Sequence, residues 1–420
     1  MKTLLGLALR SAWNRRLTLG LTLAAVALSS LLLLGVERLR ADLRASFAMS
    51  VSGVDLVVGA RGSPVQLMLY SVFRMGEVSQ NMSWASVQWL EQQPGVAWTV
   101  PVSLGDSHRG YPVLGTTPAY FDRFRYGDRR ELRLVAGRRF EGVFEAVLGA
   151  EVAERLGYRL GEQIALAHGS GEGPTAEHSD RPFVVVGILG RTGTPVDRSV
   201  HVSLQSMQAL HLDWAGGAPI PGLAIPAPML RKFDLTPKSV TAVFVGLENR
   251  AAVFGLQRAV NGHGGEALMG VLPGVALDEL WQLVAVAERY AQLVSLLVVA
   301  VGLTGLVAVI LAGLNERRRE LAILRSVGAR PLDIFALLAL EGGALALAGS
   351  VLGAALVWVL VLMLGPWLQA NYGLTLASGP PGATEWRLLA GIIAVGLIAG
   401  LLPGWRAYRL SLADGMTPRL

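Results

Sequence analysis

The chain has 420 residues, a mass of 44.6 kDa and a formal net charge of +6 at pH 7. Hydrophobic residues make up 52% of it and charged residues only 16%, whereas soluble domains carry roughly 25% charged residues. Because the hydrophobic excess lies in long uncharged runs, the composition excludes a soluble enzyme. The chain has no cysteine, which excludes disulfides, thiolate nucleophiles and cysteine-ligated metal sites. Basic residues cluster beside the apolar runs, where membrane topology explains them, so we expect no nucleic-acid partner.

Four apolar runs are each about as long as the roughly 20 residues that cross a bilayer core. They predict transmembrane helices at residues 17–36, 290–314, 334–364 and 388–405. The first run is longer than the apolar core of a signal peptide, and charged residues follow it directly. We therefore interpret it as an uncleaved anchor. Pro403 and Gly404 are expected to end the fourth helix.

Basic residues predict the orientation of these helices. Four lie in the N-terminal segment 1–16, five in the segment 315–333 and three in the tail 406–420, whereas the loop 365–387 contains only Arg387. Positive charge is retained on the cytoplasmic side of a membrane. Both termini and the segment 315–333 should therefore face the cytoplasm, and the loop 365–387 should lie outside.

The segment 37–289 then lies outside the membrane, and it is long enough to bury its own core. Its pattern predicts an α+β domain inserted between the first and second transmembrane helices. Short strands are expected at 54–60, 163–167, 182–189, 199–203 and 240–247. Helices are expected at 64–74, 83–92, 145–156, 205–210 and 250–260. Helical patterns at 37–49 and 275–289 predict stalk helices at both ends of the domain, and the proline-rich stretch 214–238 predicts a surface loop.

All six histidines fall in this outer segment. His168 and His178 flank a glycine-rich turn, and a hairpin there could gather them with the nearby acidic residues Glu172, Glu177 and Asp180 around zinc. An exposed polar turn explains the same residues, and their spacing matches no specific metal motif. We therefore expect no bound metal and keep His168 and His178 as candidate ligands.

Glu341 is the one charged residue in the third apolar run. It is a candidate intramembrane acid, and an interfacial pairing role explains it equally well. The sequence contains no nucleotide-binding loop and no hydrolase motif of the HExxH or GxSxG type. Two functions that need no cytoplasmic partner stay open. One is an ion-coupled transporter, and the other is a membrane-anchored external sensor or metal-binding protein.

The segment ERRRELAILRSVGAR at 316–330 is the most informative part of the sequence. Apolar residues recur every three positions while most arginines point elsewhere, which predicts a short amphipathic helix at the cytoplasmic surface. It is interpreted either as a lipid-contacting helix or as a docking helix for a cytoplasmic partner. The proposed docking residues are Glu316, Arg317, Arg318, Arg319, Glu320, Leu321, Leu324, Arg325, Val327, Gly328 and Arg330.

With this segment, the chain resembles the MacB/LolC/FtsX-type permeases of ABC transporters, the mechanotransmission class. The segment 316–330 is similar to the family signature ER-x-[RK]-E-[IL]-[AG]-[IL]-[LM]-[RK]-[AS]-[LIV]-G-A. The tail LPGWRAYRLSLADGM at 402–416 is similar to the closing motif of the family, with Leu412 where the family has proline. DLVVGARGSPVQLMLYSVF and FVVVGILGRTGTPVDRSV in the outer segment look like one branch of these permeases.

The resemblance implies a non-catalytic permease subunit in a bacterial inner membrane. It implies a homodimer that works with a separate cytoplasmic ATPase, on which ATP and Mg²⁺ bind, while this chain binds no cofactor itself. The helix 316–330 would couple that ATPase to a MacB-like periplasmic domain at 37–289. A periplasmic or outer-membrane partner and membrane lipid are the other expected partners. The work done would be export, extraction or efflux of an envelope substrate.

Overall fold

The computed structural model describes residues 16–50, 52–76, 80–169, 178–215, 218–219, 227–230, 232–316, 323, 326, 328, 330–372, 376–377 and 379–409. The chain divides into two compact units. The helical unit comprises the described residues of Met1–Asp42, Ala285–Trp367 and Leu376–Leu420. The sheet unit comprises those of Leu43–Val284 and Leu368–Thr375.

The described helices are α1 (Arg16–Met49), α2 (Pro64–Ser71), α3 (Trp84–Glu91), α4 (Ala119–Arg123), α5 (Ala150–Leu156), α6 (Leu204–Leu210), α7 (Ala227–Leu230), α8 (Val253–Asn261), α9 (Pro273–Glu316), α10 (Pro331–Tyr372) and α11 (Ala383–Arg409). Short 3₁₀ turns occur at Pro195–Arg198 and Arg250–Ala252.

The described strands are β1 (Leu56–Ala60), β2 (Met82–Ser83), β3 (Val96–Ser103), β4 (Asp106–His108), β5 (Tyr111–Thr116), β6 (Arg125–Tyr126), β7 (Arg130–Glu131), β8 (Leu134–Gly137), β9 (Glu145–Leu148), β10 (Gln163–Ile164), β11 (Ala167–His168), β12 (Phe183–Leu189), β13 (Val200–Ser203), β14 (Trp214–Ala215), β15 (Ala218–Pro219), β16 (Ser239–Val240), β17 (Ala242–Leu247) and β18 (Leu268–Val271).

Four helices, α1, α9, α10 and α11, are long and apolar enough to cross a membrane. All four are longer than the roughly 20 residues that a bilayer core needs. The expected end of the fourth helix at Pro403 and Gly404 is wrong, because α11 continues through both residues to Arg409. A proline removes only one helical hydrogen bond, which a membrane helix tolerates, and α10 likewise contains Pro366.

Small residues form the closest backbone contacts that α1 makes with its neighbours in the helical unit. A Cβ atom added to Gly353 of α10 would lie 2.6 Å from Cβ of Ser30 and 2.7 Å from the carbonyl oxygen of Ala27 on α1. On the α9 side, Ser29 of α1 donates a hydrogen bond to the carbonyl of Val298 at 3.1 Å. Such close backbone approach is how membrane helices pack when the surrounding lipid is as apolar as their side chains.

The contact between α10 and α11 follows the same rule. A Cβ at Gly400 would lie 2.7 Å from the carbonyl oxygen of Leu338, and one at Gly342 would lie 2.9 Å from that of Gly396. Gly342 precedes Ala346 by four residues on α10, and Gly396 precedes Gly400 by four on α11, so each helix presents its small residues on one face. These pairs set the distance between the two helices.

The sheet unit is built on a 12-stranded mixed sheet with the path β10-β12-β9-β13-β5-β3-β17-β1-β18. Strands β8, β4 and β11 pair off this path. The pairs β12–β9 and β13–β5 are parallel, and β1 pairs antiparallel with both β17 and β18. Mixed pairing with helices on the sheet confirms the α+β prediction for this part of the chain.

Strand β1 shows why an uninterrupted apolar run forms here. Successive side chains of a strand point to opposite faces. Val57 packs with Met68 of α2 in one hydrophobic cluster, whereas Val58 packs with Leu90 of α3 and Leu256 of α8 in another. Both faces of β1 are therefore covered, and both need apolar residues.

The five predicted strands are confirmed, although the one expected at 163–167 is reduced to Gln163–Ile164. The helix expected at 145–156 is wrong in its first half, because Glu145–Leu148 is the strand β9. This segment pairs with both β12 and β13, so interior sheet pairing overrides its helical composition. A Cβ at Gly149 would lie 2.3 Å from the carbonyl oxygen of Val196, so only glycine fits between β9 and α5.

The proline-rich stretch 214–238 lies partly outside the described residues. Its described part contains the short antiparallel pair β14–β15 and the one-turn helix α7. The glycine-rich turn with Glu172 and Glu177 also lies outside the described residues.

A first prediction concerns Glu145, whose carboxylate meets the Arg138 guanidinium at 2.6 and 2.9 Å and the N–H groups of Glu141 and Gly142. The hydrogen bonds from the Arg138 guanidinium lower the pKa of Glu145 to about 2, because their effect is larger than the rise caused by partial burial. A lowered folded-state pKa stabilises the fold above the unfolded value of 4.5, and this stabilisation disappears as pH falls toward 2. Glu145→Gln should therefore lower the free energy of unfolding by on the order of 1 kcal/mol at pH 7.

The measurement is denaturant unfolding of both proteins between pH 7 and pH 3. The difference between wild type and Glu145→Gln should shrink as the pH drops below 4.5. A difference that stays constant over this range would contradict the assignment.

A second prediction concerns Gly353. An alanine there pushes its methyl group against α1, and overpacking of this kind costs typically about 1–3 kcal/mol. Gly353→Ala should therefore lower the thermal unfolding midpoint of the purified protein in detergent. Gly391→Ala on α11 is the matched control, because its added Cβ would have no atom of another helix within 4 Å among the described residues. Equal midpoints for the two variants would show that α1 and α10 do not pack through Gly353.

Candidate functional site

The predicted docking segment 316–330 lies between the end of α9 at Glu316 and the start of α10 at Pro331. Gly328 has a φ of +102°, a left-handed conformation that glycine tolerates. The backbone N–H of Arg330 donates to the carboxylate of Asp333 at 2.8 Å, a capping interaction that starts α10. The other docking residues lie outside the described residues, namely Arg317, Arg318, Arg319, Glu320, Leu321, Leu324, Arg325 and Val327. The docking role of the segment stays a prediction.

Glu341 lies on α10 and is half-buried. It precedes Gly342, which contacts α11. Its place on a membrane-crossing helix agrees with the sequence prediction, and its role as a functional acid stays a prediction.

A buried group of charges that the sequence analysis did not single out links α1 to the start of α11. We call it the Arg38 cluster, and it comprises Arg38, Asp42, Glu385 and the backbone of Ala377, Gly379, Pro380 and Gly382. The guanidinium of Arg38 lies 3.2 Å from the carboxylate of Glu385 and 3.6 Å from that of Asp42. It donates to the carbonyls of Ala377, Gly379 and Pro380.

The two carboxylates of the Arg38 cluster also hold the backbone around it. Asp42 accepts a hydrogen bond from the N–H of Ala377 at 3.0 Å. Glu385 accepts from the N–H of Gly382, which caps the first turn of α11. The side chains of Arg38, Asp42 and Glu385 are only 13%, 10% and 9% exposed. One cation and two anions in so little solvent are stable only because each also has backbone partners.

A second ion pair joins α1 to α9. Arg40 donates to Glu288 of α9 at 2.9 Å and lies 3.4 Å from Glu37 of its own helix. Arg38 and Arg40 therefore attach the same short stretch of α1 to two different helical segments.

Arg38 and Glu385 also line a cavity of about 330 Å³ inside the helical unit. Its other walls are apolar and include Leu34 of α1, Trp358 of α10 and Leu389 of α11. The cavity is therefore mainly hydrophobic with one ion pair, a lining suited to an apolar molecule that carries a polar group.

The histidines of the sheet unit are arranged differently from the expected hairpin. His168 lies beside Asp106 and His211, while His178 is buried with its ring edge-on to that of His211. His201 is buried against Tyr120, and burial holds its pKa well below the usual value.

Asp106 holds the centre of this histidine group. Burial alone would raise the pKa of Asp106, but hydrogen bonds with His168 and His211 outweigh it and lower this pKa to about 2. Burial would lower the pKa of His211, and its hydrogen bond with Asp106 reverses that effect, so the pKa of His211 is raised. Asp106 and His211 lie 62 and 43 residues from His168 in the sequence. Their spacing along the chain therefore gave no indication that the three side chains meet.

Comparison with known proteins finds two family models that match this chain. A family model described as FtsX-like permease C-terminal matches residues 293–412, and one described as MacB-like periplasmic core domain matches residues 17–259, more than half of the chain. The periplasmic region of MacB from Actinobacillus actinomycetemcomitans is similar at 12% identity and a TM-score of 0.34, over 54% of this chain and 94% of that one.

The extracellular domain of the noncanonic ABC-type transporter YknZ from Gram-positive bacteria is similar at 16% identity and a TM-score of 0.30. That match covers 51% of this chain and 98% of the other. No curated protein matches the chain.

The Arg38 cluster leads to a third prediction. Arg38→Ala leaves two buried carboxylates without their cation, and removal of one partner from a buried ion pair costs about 3–5 kcal/mol. The variant should unfold at a clearly lower temperature in detergent. In a double-mutant cycle with Glu385→Gln, the two changes should be non-additive by about 0.5–3 kcal/mol.

Arg387→Ala is the matched control for Arg38→Ala. Arg387 lies in the first turns of α11, two residues from Glu385, but its side chain is exposed. Among the described residues, that side chain bonds only to nearby Ala383 and Thr384. If Arg38→Ala and Arg387→Ala had the same midpoint, the Arg38 cluster would not be holding α1 to α11.

Proposed function

This chain belongs to the family of ABC transporter permeases that combine an FtsX-like C-terminal region with a MacB-like periplasmic core domain, and from this membership we propose a mechanotransmission function. In this function, a separate cytoplasmic ATPase hydrolyses ATP, and the permease converts the resulting movement into work in the periplasm. The permease itself is non-catalytic, and ATP and Mg²⁺ bind to the partner.

The observation that carries this proposal is the set of contacts made by α1. At residues 38–42 the helix is attached to the start of α11 by the Arg38 cluster and to α9 by Arg40. Farther along the same helix, the ring of Phe47 lies 4.5 Å from that of Phe73 and 5.5 Å from that of Trp281 on α9. Phe73 belongs to a hydrophobic core cluster of the sheet unit.

We propose that α1, one continuous helix from Arg16 to Met49, carries movement along its own axis, because its backbone hydrogen bonds resist bending. A shift of α10 and α11 would pull on Arg38, and α1 would carry that shift to Phe47 and the core behind it. In this mechanism substrate need not pass through a membrane channel.

The proposed orientation places both termini and the segment 316–330 in the cytoplasm of a bacterial cell, with the MacB-like domain in the periplasm. The distribution of basic residues supports it. The segment 316–330 joins α9 to α10, so a partner that binds it acts on two membrane helices together. We further propose a complex of two permease copies with two ATPase copies and a periplasmic or outer-membrane partner. Its work would be export, extraction or efflux of an envelope substrate.

The docking proposal is tested by placing a charge on the apolar face of the segment 316–330. Leu324→Asp or Val327→Asp should weaken binding of the ATPase by on the order of tenfold or more, because a charge is placed at the centre of an apolar contact. The permease should also stop changing the rate of ATP hydrolysis. The measurement is co-purification and ATPase activity of the complex in lipid nanodiscs.

Ser326→Asp is the matched control, since Ser326 is exposed and two residues from Leu324, which places it on another face of a helix. Binding should survive this change. If Ser326→Asp disrupts the complex as strongly as Leu324→Asp, or if none of the three variants does, the segment is not an ATPase docking helix.

A further inference from the structure

Three potential metal ligands from three different elements meet in the sheet unit. Asp106 is in β4 and His168 is in β11, and these residues are direct partners in the antiparallel β4–β11 pair. His211 immediately follows the last residue of α6. The ligand atoms of the three residues all lie within 4.8 Å of one another.

The three ligand atoms form a nearly equilateral triangle. Oδ1 of Asp106 lies 3.1 Å from Nδ1 of His168 and 3.4 Å from Nε2 of His211, and the two nitrogens are 3.2 Å apart. Zinc binds nitrogen and oxygen ligands at about 2.0–2.1 Å in a tetrahedron, which places neighbouring ligand atoms about 3.3 Å apart. The triangle therefore has the size of one face of a zinc coordination sphere.

Hydrogen bonding on the far side of His211 directs its lone pair into this triangle. Nδ1 of His211 lies 2.9 Å from the carbonyl oxygen of Met207. A carbonyl only accepts, so Nδ1 carries the proton and, in the neutral ring, Nε2 is the unprotonated nitrogen. A histidine held in this way by a backbone carbonyl is typical of metal ligands.

A second group of contacts fixes the position of His211. Arg181 donates to the carbonyls of Ala209 and Leu210 at 3.0 and 2.8 Å, and it pairs with Asp213 on the other side of the histidine. Arg181 is 2% exposed. The end of α6 is thus held on both sides of His211 by a buried cation.

Within the described part of the chain, the triangle is buried on one side and partly exposed on the other. The side chain of Asp106 is fully buried, and its Oδ2 atom has no hydrogen-bond partner among the described residues. The side chains of His168 and His211 are 39% and 27% exposed. An ion could therefore enter from solvent and would meet a buried carboxylate behind two imidazoles.

We propose that Asp106, His168 and His211 form a binding site for a divalent transition-metal ion, with Zn²⁺ as the best match. Two neutral imidazoles and one carboxylate suit borderline divalent metals and disfavour Ca²⁺ or Mg²⁺, which prefer oxygen ligands. Three protein ligands leave one coordination position of a tetrahedral ion for water or for an external ligand. This site differs from the hairpin site expected at His168 and His178, and it does not depend on the proposed ATPase coupling.

The test uses the full-length chain in detergent, purified without a histidine tag and stripped of metal with a chelator. Zn²⁺ is titrated in competition with a chromophoric chelator, and Co²⁺ is added separately to record its visible absorption bands. One Zn²⁺ per chain should bind, and saturating Zn²⁺ should raise the thermal midpoint because it binds only the folded state.

His168→Ala is the main variant, because its exposed side chain can be removed without opening the core. Loss of this ligand should weaken Zn²⁺ binding by about 100-fold or more, since even residues that only support a ligand cost about 10–100-fold. Asp106→Asn and His211→Ala should have the same effect, and circular dichroism checks that each variant is folded. His263→Ala is the control, because the His263 ring contacts Trp89 and, among the described residues, His263 belongs to no group of potential metal ligands.

Two results would overturn the proposal. One is the absence of stoichiometric Zn²⁺ and Co²⁺ binding by the wild-type chain, which would make the triangle a protonated His211 paired with Asp106. The other is equal Zn²⁺ affinity for His168→Ala and His263→Ala. Both results are obtained from the permease alone, so neither bears on the ATPase proposal.

Discussion

The buried guanidinium of Arg38 is the constraint on which the helical unit and its proposed mechanism depend. A charge with so little solvent around it must find its partners within the protein. Arg38 finds them in two carboxylates and three backbone carbonyls, and most of these belong to the segment that leads into α11. The position of α1 is therefore coupled to that of α11, because a displacement of either helix would leave buried charges unpaired.

Glycine contacts between the helices act together with this ion pair. Gly353 and Gly400 let the helix backbones approach until no space remains for a methyl group. Packing of this kind resists separation and depends on the register of each helix. Close backbone contact and a specific ion pair together hold α1 against α10 and α11 within the helical unit.

In the sheet unit, hydrophobic clusters cover both faces of strand β1. Val57 and Val58 are neighbours in the chain, yet they belong to different hydrophobic clusters on opposite faces of β1. The strand pairing of β4 with β11 then places Asp106 opposite His168, and α6 ends beside them with His211. The proposed metal site is thus a consequence of sheet register and of one helix end, and it needs no dedicated loop.

The sequence by itself determined the features that depend on local composition. The apolar runs at 17–36 and 388–405 mark membrane helices because a bilayer requires an uncharged stretch of fixed length, and the segment 316–330 carries its family signature in consecutive residues. It also indicated five of the strands of the sheet unit, because β-branched runs are a local signal.

Only the tertiary structure decided the contacts between distant residues. Glu145–Leu148 became a strand because two neighbouring strands were available to pair with it. His168 lies 62 residues from Asp106 and 43 from His211, and Arg38 lies 347 from Glu385. Residue spacing along the chain does not encode such pairs, because they depend on how the whole sheet and the helices fold. The physical reason is that charge and metal ligation act over a few ångströms in space, whatever the separation in sequence.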